Sequence, residues 1–147
     1  MAVYFLDSSA TVKRHINEAG SAWVMSLVDP TAGHRIHLTR ITGVEVVSAI
    51  TRRERSGSIA AIDAAAMLTD FRYDFANQYR ITEITPSLIS RAMTLAETYA
   101  LRGYDAVQLA AALAVNAEGQ AAGLPVLTLV SADLELNTAA LAEGLLV

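Results

Sequence analysis

The sequence predicts an α/β fold in which helices cover both faces of a mostly parallel sheet of four to five strands. Two observations lead to this prediction. Short apolar, β-branched runs recur along the chain, and longer stretches with helical periodicity lie between them. Parallel strands need crossover connections, and those connections are usually helices that pack onto the sheet. We therefore expect three layers, with the sheet in the middle.

The predicted strands are short runs of apolar and β-branched residues. The first comes close to the N-terminus, and the others are spaced so that helical stretches fit between them. The first four runs are Val3–Leu6, Arg35–Thr39, Tyr79–Ile84 and Val126–Val130. A further run, Leu145–Val147, would add a fifth strand to the sheet.

Helical periodicity fills the segments between these runs. Pro86 and Gly103 precede two of the segments, which suits a first helical turn, and Gly144 follows the last one as a stop signal. The break Ser56-Gly57-Ser58 separates the third segment from the fourth. In chain order the predicted helices are Ser8–His15, Ser21–Val28, Val44–Arg55, Ile59–Asn77, Ser87–Ala100, Tyr104–Asn116 and Leu134–Glu143.

Size and composition indicate one domain spanning residues 1–147. A chain of 147 residues can bury a substantial core but is short for two ordinary domains. Hydrophobic residues make up 53% of the chain, and no Pro/Gly/Ser-rich or like-charged run marks a linker or a disordered tail. There is no cysteine, which excludes disulfides and thiolate metal sites and is typical of a reducing compartment.

Charge and hydropathy argue against two classes of function. The formal net charge is −4, which argues against a protein that coats nucleic acid through bulk positive charge. A local basic rim around an acidic site is still compatible with this net charge. No apolar run is long enough to span a bilayer, and the N-terminus lacks a basic region followed by a long apolar stretch. We expect a cytoplasmic protein that makes no membrane contact.

Four acidic residues stand at strand ends or helix starts. Asp7 directly follows the first strand, Glu45 falls in the predicted first turn of the helix after the second strand, and Asp133 comes shortly after the fourth strand. Asp105 opens a helix rich in alanine and leucine. Because parallel α/β sheets bind ligands beyond the carboxyl ends of their strands, this set predicts a site at that edge of the sheet.

Each of these acids also has a purely structural interpretation. Asp7 and Asp105 suit the N-cap position, and Asp133 suits a first helical turn, where the helix dipole favours negative charge. Thr42-Gly43-Val44-Glu45 fits a capping box. The set as a whole is harder to explain in this way, because apolar sequence surrounds three of the four acids. A buried carboxylate is costly unless a cation or hydrogen-bond donors compensate it.

Four stretches of the sequence carry a family resemblance, and together they cover nearly the whole chain. They are LDSSATVKR, TGVEVVSAI, LRGYDAVQLAAAL and LVSADLELNTAALAEGL. In this order they resemble the first-strand motif, the glutamate helix, the central aspartate helix and the closing segment of the PIN domain family of metal-dependent ribonucleases. The chain most resembles the VapC-type toxins of bacterial toxin–antitoxin pairs. Ala117–Leu124 departs from the family pattern as a long connection before the last core strand.

The resemblance implies a metal-dependent endoribonuclease with a PIN-like α/β/α fold. Asp7, Glu45, Asp105 and Asp133 would be its acidic quartet, both catalytic and metal-binding, and would hold Mg²⁺ or Mn²⁺. These hard cations prefer carboxylate oxygen and keep several waters, which suits in-line hydrolysis of an RNA phosphodiester bond. Asp7 and Asp105 would bind an ion directly, and the other two acids would bind a second ion or orient water.

Five polar residues near the acids are candidate RNA contacts. Ser8, Ser9 and Ser131 could meet water or phosphate, with hydrogen bonding at a helix start as the alternative for each serine. Lys13 and Arg14 could contact the phosphate backbone, which positions a strand without reading its sequence. An ordinary solvated face is the alternative for these two basic residues.

The partners implied by the resemblance are an RNA substrate, a small antitoxin protein and a second copy of the chain in a homodimer. The fourth predicted helix has an apolar stripe wider than one core-facing side needs. We expect an amphipathic antitoxin segment to cover Phe71 and Phe75 between the third and fourth helices. The alternative is a helix buried within its own subunit.

Two other functions are compatible with the same sequence pattern. A PIN-type RNA-processing nuclease without an antitoxin would use the same four acids. A catalytically inactive PIN binding module would use only the fold, and the retention of all four acids argues against it. The sequence does not separate a toxin from a processing nuclease.

Overall fold

The computed structural model describes residues 1–147, and its centre is a parallel sheet. The strands are β1 (Val3–Leu6), β2 (Arg35–Thr39), β3 (Arg80–Thr82) and β4 (Thr128–Val130). They lie in the order β3-β2-β1-β4, and every neighbouring pair is parallel. The predicted α/β class with a parallel sheet of four strands is confirmed.

Helices fill the connections between the strands, as the crossover argument requires. They are α1 (Ser8–Thr11), α2 (Ser21–Val28), α3 (Arg40–Arg55), α4 (Ala61–Asn77), α5 (Pro86–Tyr99), α6 (Gly103–Ala121) and α7 (Leu134–Ala142). Two 3₁₀ turns, Val12–Arg14 and Pro30–Ala32, follow α1 and α2. None of the helices combines the length and the apolar character needed to cross a membrane.

The side chains of β1 point alternately into two hydrophobic cores, one on each face of the sheet. Val3 and Phe5 pack in one core with α5, α6 and α7, whereas Leu6 packs in the other with the helices between α1 and α4. Successive side chains of a strand point to opposite faces, so the central strand is buried on both sides. Phe5 and Leu6 are both fully buried, which establishes the three-layer arrangement.

The predicted fifth strand, Leu145–Val147, is wrong as a strand. Only Leu146 pairs with the sheet, through an isolated parallel bridge to Thr128. The chain turns out of α7 as far as Gly144, whose φ is 89°, so little of the segment is left to run alongside β4. Leu145 instead lies buried in the core, 2% exposed.

The connection before β4 is shorter than predicted, because α6 continues to Ala121, past Asn116. The side chain of Asn116 fixes the end of this connection, since its Oδ1 accepts a hydrogen bond from the backbone N–H of Leu127 at 2.9 Å. Gly119 lies against Leu124, which a Cβ on the glycine would meet at 3.6 Å. Most of the segment predicted to be a long loop is therefore the last part of a helix and a tight turn.

The start of α3 differs from the prediction in a way that affects the site. Thr39, not Thr42, is the N-cap, and its Oγ1 accepts from the backbone N–H of Thr42 at 3.3 Å. The helix therefore begins at Arg40, and the predicted capping box is wrong. Glu45 lies in the second turn rather than the first, where its carboxylate is not needed to satisfy the backbone N–H groups at the helix start.

Candidate active site

The carboxyl ends of β1 and β4 meet at the edge where the site forms. Leu6 and Val130 are paired residues of the two parallel strands, and the backbone N–H of Asp7 donates to the carbonyl of Val130 at 3.2 Å. The residues that follow the two strands, Asp7 and Ser131, are therefore neighbours. The sheet register alone brings together parts of the chain that are 124 positions apart.

Asp7 is a buried carboxylate that accepts several hydrogen bonds. Its side chain caps α1, with Oδ1 accepting from the backbone N–H of Ala10 at 2.9 Å and from the hydroxyl of Ser9 at 2.6 Å. The hydroxyl of Ser131 donates to Oδ2. The pKa of Asp7 is nevertheless raised above its usual value, because burial opposes ionisation more than these donors favour it, and the negative charge of Asp133 raises it further.

Glu45 reaches the same edge from α3. Its Oε2 accepts from the hydroxyl of Ser8 at 3.1 Å, and its Oε1 accepts from the side-chain amide of Gln108 at 3.3 Å. Partial burial is the main cause that raises the pKa of Glu45, and the negative charges of Asp7 and Asp105 add to it. The carboxylates that follow β1 and lie on α3 and α6 are thus close enough to act on one another's ionisation.

Asp105 lies in the first turn of α6, and the structure gives its carboxylate no hydrogen-bond partner. The N-cap of α6 is Arg102, which makes no side-chain cap. Desolvation raises the pKa of Asp105, with further increases from the charges of Asp133 and Asp7, and the Arg102 guanidinium opposes these effects. The predicted N-cap alternative is wrong for Asp105.

Asp133 is the N-cap of α7, not a first-turn residue. Its Oδ1 accepts from the backbone N–H of Leu136 at 2.9 Å, and its own N–H donates to the Ser131 hydroxyl at 3.0 Å. Two of the four acids, Asp7 and Asp133, therefore do cap helices, while Glu45 and Asp105 do not. Capping accounts for half of the set and leaves two partly buried carboxylates unexplained.

The chemistry of this donor set fits a hard divalent cation. Mutual repulsion and desolvation of carboxylates are what such an ion relieves, and all the side chains offer oxygen. No three of the carboxylates are arranged to enclose an ion together. Mg²⁺ does not require such a cage, because it usually keeps several waters and binds through one or two carboxylates.

The two basic residues predicted to contact RNA are engaged in ion pairs within the chain. Lys13 Nζ lies 3.0 Å from a carboxylate oxygen of Glu18, and Arg14 Nε lies 3.8 Å from one of Asp74. Arg102 forms no ion pair, and it is the cation whose charge acts on Asp105. It is a site residue that the sequence argument missed, although it precedes Asp105 by three positions.

Gln108 is a second site residue that the sequence argument missed. It is 2% exposed and belongs to a buried polar group with Thr39 and Thr42, neither of which is exposed. A glutamine among the alanines and leucines of α6 was the signal that could have identified it, because a polar side chain in an apolar helix needs hydrogen-bond partners.

A parallel sheet with helices on both faces and acidic residues at its carboxyl edge is the arrangement expected of a PIN domain. Residues 4–140 match the sequence profile of that family, and the chain belongs to it. Within the family it is of the VapC type. Ribonuclease VapC45 of Mycobacterium tuberculosis (strain CDC 1551 / Oshkosh) is 34% identical over 145 residues, which are 98% of this chain and 93% of the relative. Ribonuclease VapC49 of strain ATCC 25618 / H37Rv gives the same values.

Solved structures with low sequence identity share the fold. PAE2754 from Pyrobaculum aerophilum superposes with a TM-score of 0.61 at 21% identity, covering 94% of this chain and 84% of that one. VapC20 of Mycobacterium tuberculosis, described as a sarcin-ricin loop cleaving toxin, superposes with a TM-score of 0.60 at 15% identity, covering 97% and 96% of the two chains. Both similarities extend over nearly the whole length of this chain.

Proposed function

We propose that residues 1–147 form a single nuclease domain that hydrolyses RNA phosphodiester bonds with Mg²⁺ or Mn²⁺ and acts as the toxin of a toxin–antitoxin pair in the cytoplasm. The observation that carries this proposal is that Asp7, Glu45, Asp105 and Asp133 come from four separate segments and lie close enough for their charges to raise the pKa of the first three. The similarity to ribonucleases VapC45 and VapC49 supports it.

We assign different roles to the residues of the site. Asp7 and Asp105 are the proposed ligands of the ion, with Glu45 and Asp133 holding water or a second ion beside them. A divalent cation there would neutralise charge on the phosphate and favour deprotonation of an attacking water. The hydroxyls of Ser9 and Ser131 orient the carboxylate of Asp7, and the hydroxyl of Ser8 orients that of Glu45. Arg102, which forms no ion pair, is available to the phosphate backbone.

Asp105→Asn tests the function most directly, because Asp105 neither caps a helix nor accepts a hydrogen bond. We expect this variant to lose Mn²⁺-dependent cleavage of a mixed RNA pool and most of the rise in melting temperature that Mn²⁺ gives the parent. Its metal-free stability at neutral pH should be unchanged or higher, because a desolvated charge is removed. Asp63→Asn is the matched control, since Asp63 is exposed in the first turn of α4. Full cleavage by the Asp105→Asn variant would show that the site assignment is wrong.

The proposed antitoxin segment binds a groove between α3 and α4. A cavity of about 480 Å³ is lined there by Arg40, Gly43, Val44, Val47, Phe71, Arg72 and Phe75. Val44 is 66% exposed and Phe75 is half-buried, so an apolar face of a partner helix has surface to cover. Phe71 contributes only to the floor, because it is 2% exposed and packs edge-on against His15. For Phe71 the alternative of burial within its own subunit is correct.

The proposed homodimer has a second exposed apolar surface available to it. Ile89, Met93 and Tyr104 are exposed beside a groove of about 520 Å³ between α5 and the start of α6. Contiguous apolar surface of this kind is typical of interaction sites, and a second copy of the chain would cover it. Light scattering after size-exclusion chromatography tests this proposal, and a species of monomer mass at micromolar concentration would contradict it.

A further inference from the structure

Gln108 is a buried polar residue of α6, the helix with the most buried residues in the molecule. It lies on α6 three positions after Asp105, and the five residues that follow it, Leu109–Leu113, are all buried alanines or leucines. Burying an amide is unfavourable unless its N–H and C=O groups are hydrogen-bonded. The partners of Gln108 therefore indicate why a polar side chain is present at this position.

The side-chain amide of Gln108 donates two hydrogen bonds and accepts one. All three are with residues at the end of β2 or in the first two turns of α3. Nε2 donates to Thr42 Oγ1 at 3.0 Å and to Glu45 Oε1 at 3.3 Å. Oε1 accepts from Thr39 Oγ1 at 3.4 Å. Because a carboxylate only accepts, the amide nitrogen rather than the oxygen must face Glu45.

Glu45 is consequently held at both carboxylate oxygens by residues of other helices. Ser8, at the start of α1, donates to Oε2, and Gln108 on α6 donates to Oε1. Each oxygen still has a lone pair available for a further contact. The carboxylate on α3 is thereby fixed relative to α1, which Asp7 caps, and to α6, which carries Asp105.

We propose that Gln108 is a positioning residue for the metal site: it fixes the Glu45 carboxylate beside Asp7 and Asp105, so that binding of the divalent ion and RNA cleavage depend on its amide N–H. This inference rests on the proposed function. A purely structural role, in which the side chain only fills space and joins α6 to β2, would be served by an apolar side chain of similar volume. The two roles therefore predict different behaviour for an apolar substitution.

Gln108→Leu and Gln108→Met are the test variants. Either one is sufficient for the test, so the experiment still works if the other does not fold. Both remove the donor to Glu45 while Thr39 and Thr42 remain hydrogen-bonded to each other at 3.0 Å. Two readouts are needed: kcat and KM for RNA cleavage, and the melting temperature as a function of Mn²⁺ concentration. Asn116→Ala is the matched control, because Asn116 is a polar residue of the same helix that contacts Leu127 and no carboxylate.

For a folded Gln108 variant we expect kcat to fall about 10- to 100-fold, as is usual when a hydrogen-bond partner of a metal ligand is lost. KM for RNA should change little, and the Mn²⁺ concentration needed for half of the melting-temperature shift should rise by a similar factor. Asn116→Ala should lower the metal-free melting temperature and leave the Mn²⁺ dependence unchanged.

Two outcomes would overturn the inference, and they are distinguishable. If the parent cleaves RNA and Asp105→Asn does not, while Gln108→Leu or Gln108→Met keeps the kcat and Mn²⁺ dependence of the parent, then Gln108 is structural and the proposed function stands. If the parent itself shows neither Mn²⁺-dependent cleavage nor a Mn²⁺-induced shift, the proposed function is wrong and the positioning role is wrong with it.

Discussion

At the scale of single residues, the carboxylate of Asp7 has both a structural and a proposed chemical role. It caps α1 through Ala10 and also accepts from Ser9 and Ser131. It is 5% exposed, and burial raises its pKa. A residue of this kind cannot be assigned to one role from its contacts, so substitutions that separate capping from charge are needed.

Asparagine and alanine at position 7 make that separation. Asparagine is a good N-cap without a charge, whereas alanine loses the cap at a cost of about 1 kcal/mol. We expect Asp7→Asn to retain metal-free stability and Asp7→Ala to lose about that amount, as measured by urea unfolding at pH 7. Both variants should lose the Mn²⁺-induced rise in melting temperature. An Asp7→Asn protein with the full Mn²⁺ shift would mean that Asp7 is only a cap.

His15 gives a pH dependence that is independent of the acidic site. Its pKa is lowered from 6.5 to about 4, mainly by burial and secondarily by the charge of Arg14. Its Nε2 is buried without a partner, and its ring meets that of Phe71 edge-on at 5.5 Å between centroids. The unfolded chain therefore binds a proton at His15 more readily than the folded protein does.

Since the folded pKa is depressed, the contribution of His15 to stability is present above pH 6.5 and is lost as the pH falls to about 4. His15→Phe places a ring of similar size against Phe71 and removes this titration. We expect the variant to gain stability relative to the parent between pH 7 and pH 5, as measured by urea unfolding at each pH. A constant difference between the two proteins over this range would contradict the prediction.

At the scale of elements, α3 and α4 form the proposed antitoxin surface through a close helix contact. A Cβ at Gly43 would lie 3.0 Å from the ring of Phe75, so the absence of a side chain there lets the phenylalanine lie against α3. The guanidinium of Arg40 lies over the same ring, 5.6 Å from its centroid. Phe75 is therefore held in place at the mouth of the groove, which suits a residue that anchors a partner.

Phe75→Glu is the variant that tests this surface, because Phe75 is only half-buried and its substitution spares the core residue Phe71. We expect affinity for the proposed antitoxin to fall about 30-fold or more, the effect of losing a hot spot of about 2 kcal/mol. RNA cleavage by the free protein should be retained. Tyr73→Glu is the control, since Tyr73 is on the same helix, 60% exposed and outside the groove. Equal affinities of the two variants, measured by calorimetry, would exclude this groove as the binding surface.

At the scale of the whole molecule, the acids make metal-free stability and metal binding depend on pH in opposite directions. Burial raises the pKa of Asp7, Glu45 and Asp105. The folded protein then holds more protons than the unfolded chain in the interval from about pH 4 to the raised folded pKa values. The stability that these groups contribute is present below their unfolded pKa and is lost as the pH rises through their folded pKa.

A divalent ion binds only the ionised carboxylates, so protons compete with it. We expect the rise in melting temperature at a fixed Mn²⁺ concentration to be larger at pH 7.5 than at pH 5. Asp105→Asn should reduce the Mn²⁺-induced rise in melting temperature at both pH values. Differential scanning fluorimetry at the two pH values measures the effect, and equal shifts in the parent would contradict the proposal that these carboxylates bind the ion.

Much of the architecture could be predicted from the sequence, because strand and helix periodicity is a local property. β1 and β2 have the predicted bounds, and α2 does as well. The errors occur where local signals compete. Thr39 and Thr42 are both acceptable N-caps, and only the path of the chain out of β2 selects Thr39. For Leu145–Val147, strand-like composition was overridden by the turn at the end of α7 and by burial of Leu145.

The sequence by itself determined the α/β class and the parallel sheet, and it singled out the four acids as candidates, because these follow from residue type and spacing. Only the tertiary structure decided which acids cap helices, that Lys13 and Arg14 are engaged in ion pairs, and that Gln108 meets Glu45. The physical reason is that hydrogen bonds and ion pairs depend on distances of about 3 Å. Residues 63 positions apart, such as Glu45 and Gln108, reach such distances only when the sheet and both helix layers are assembled.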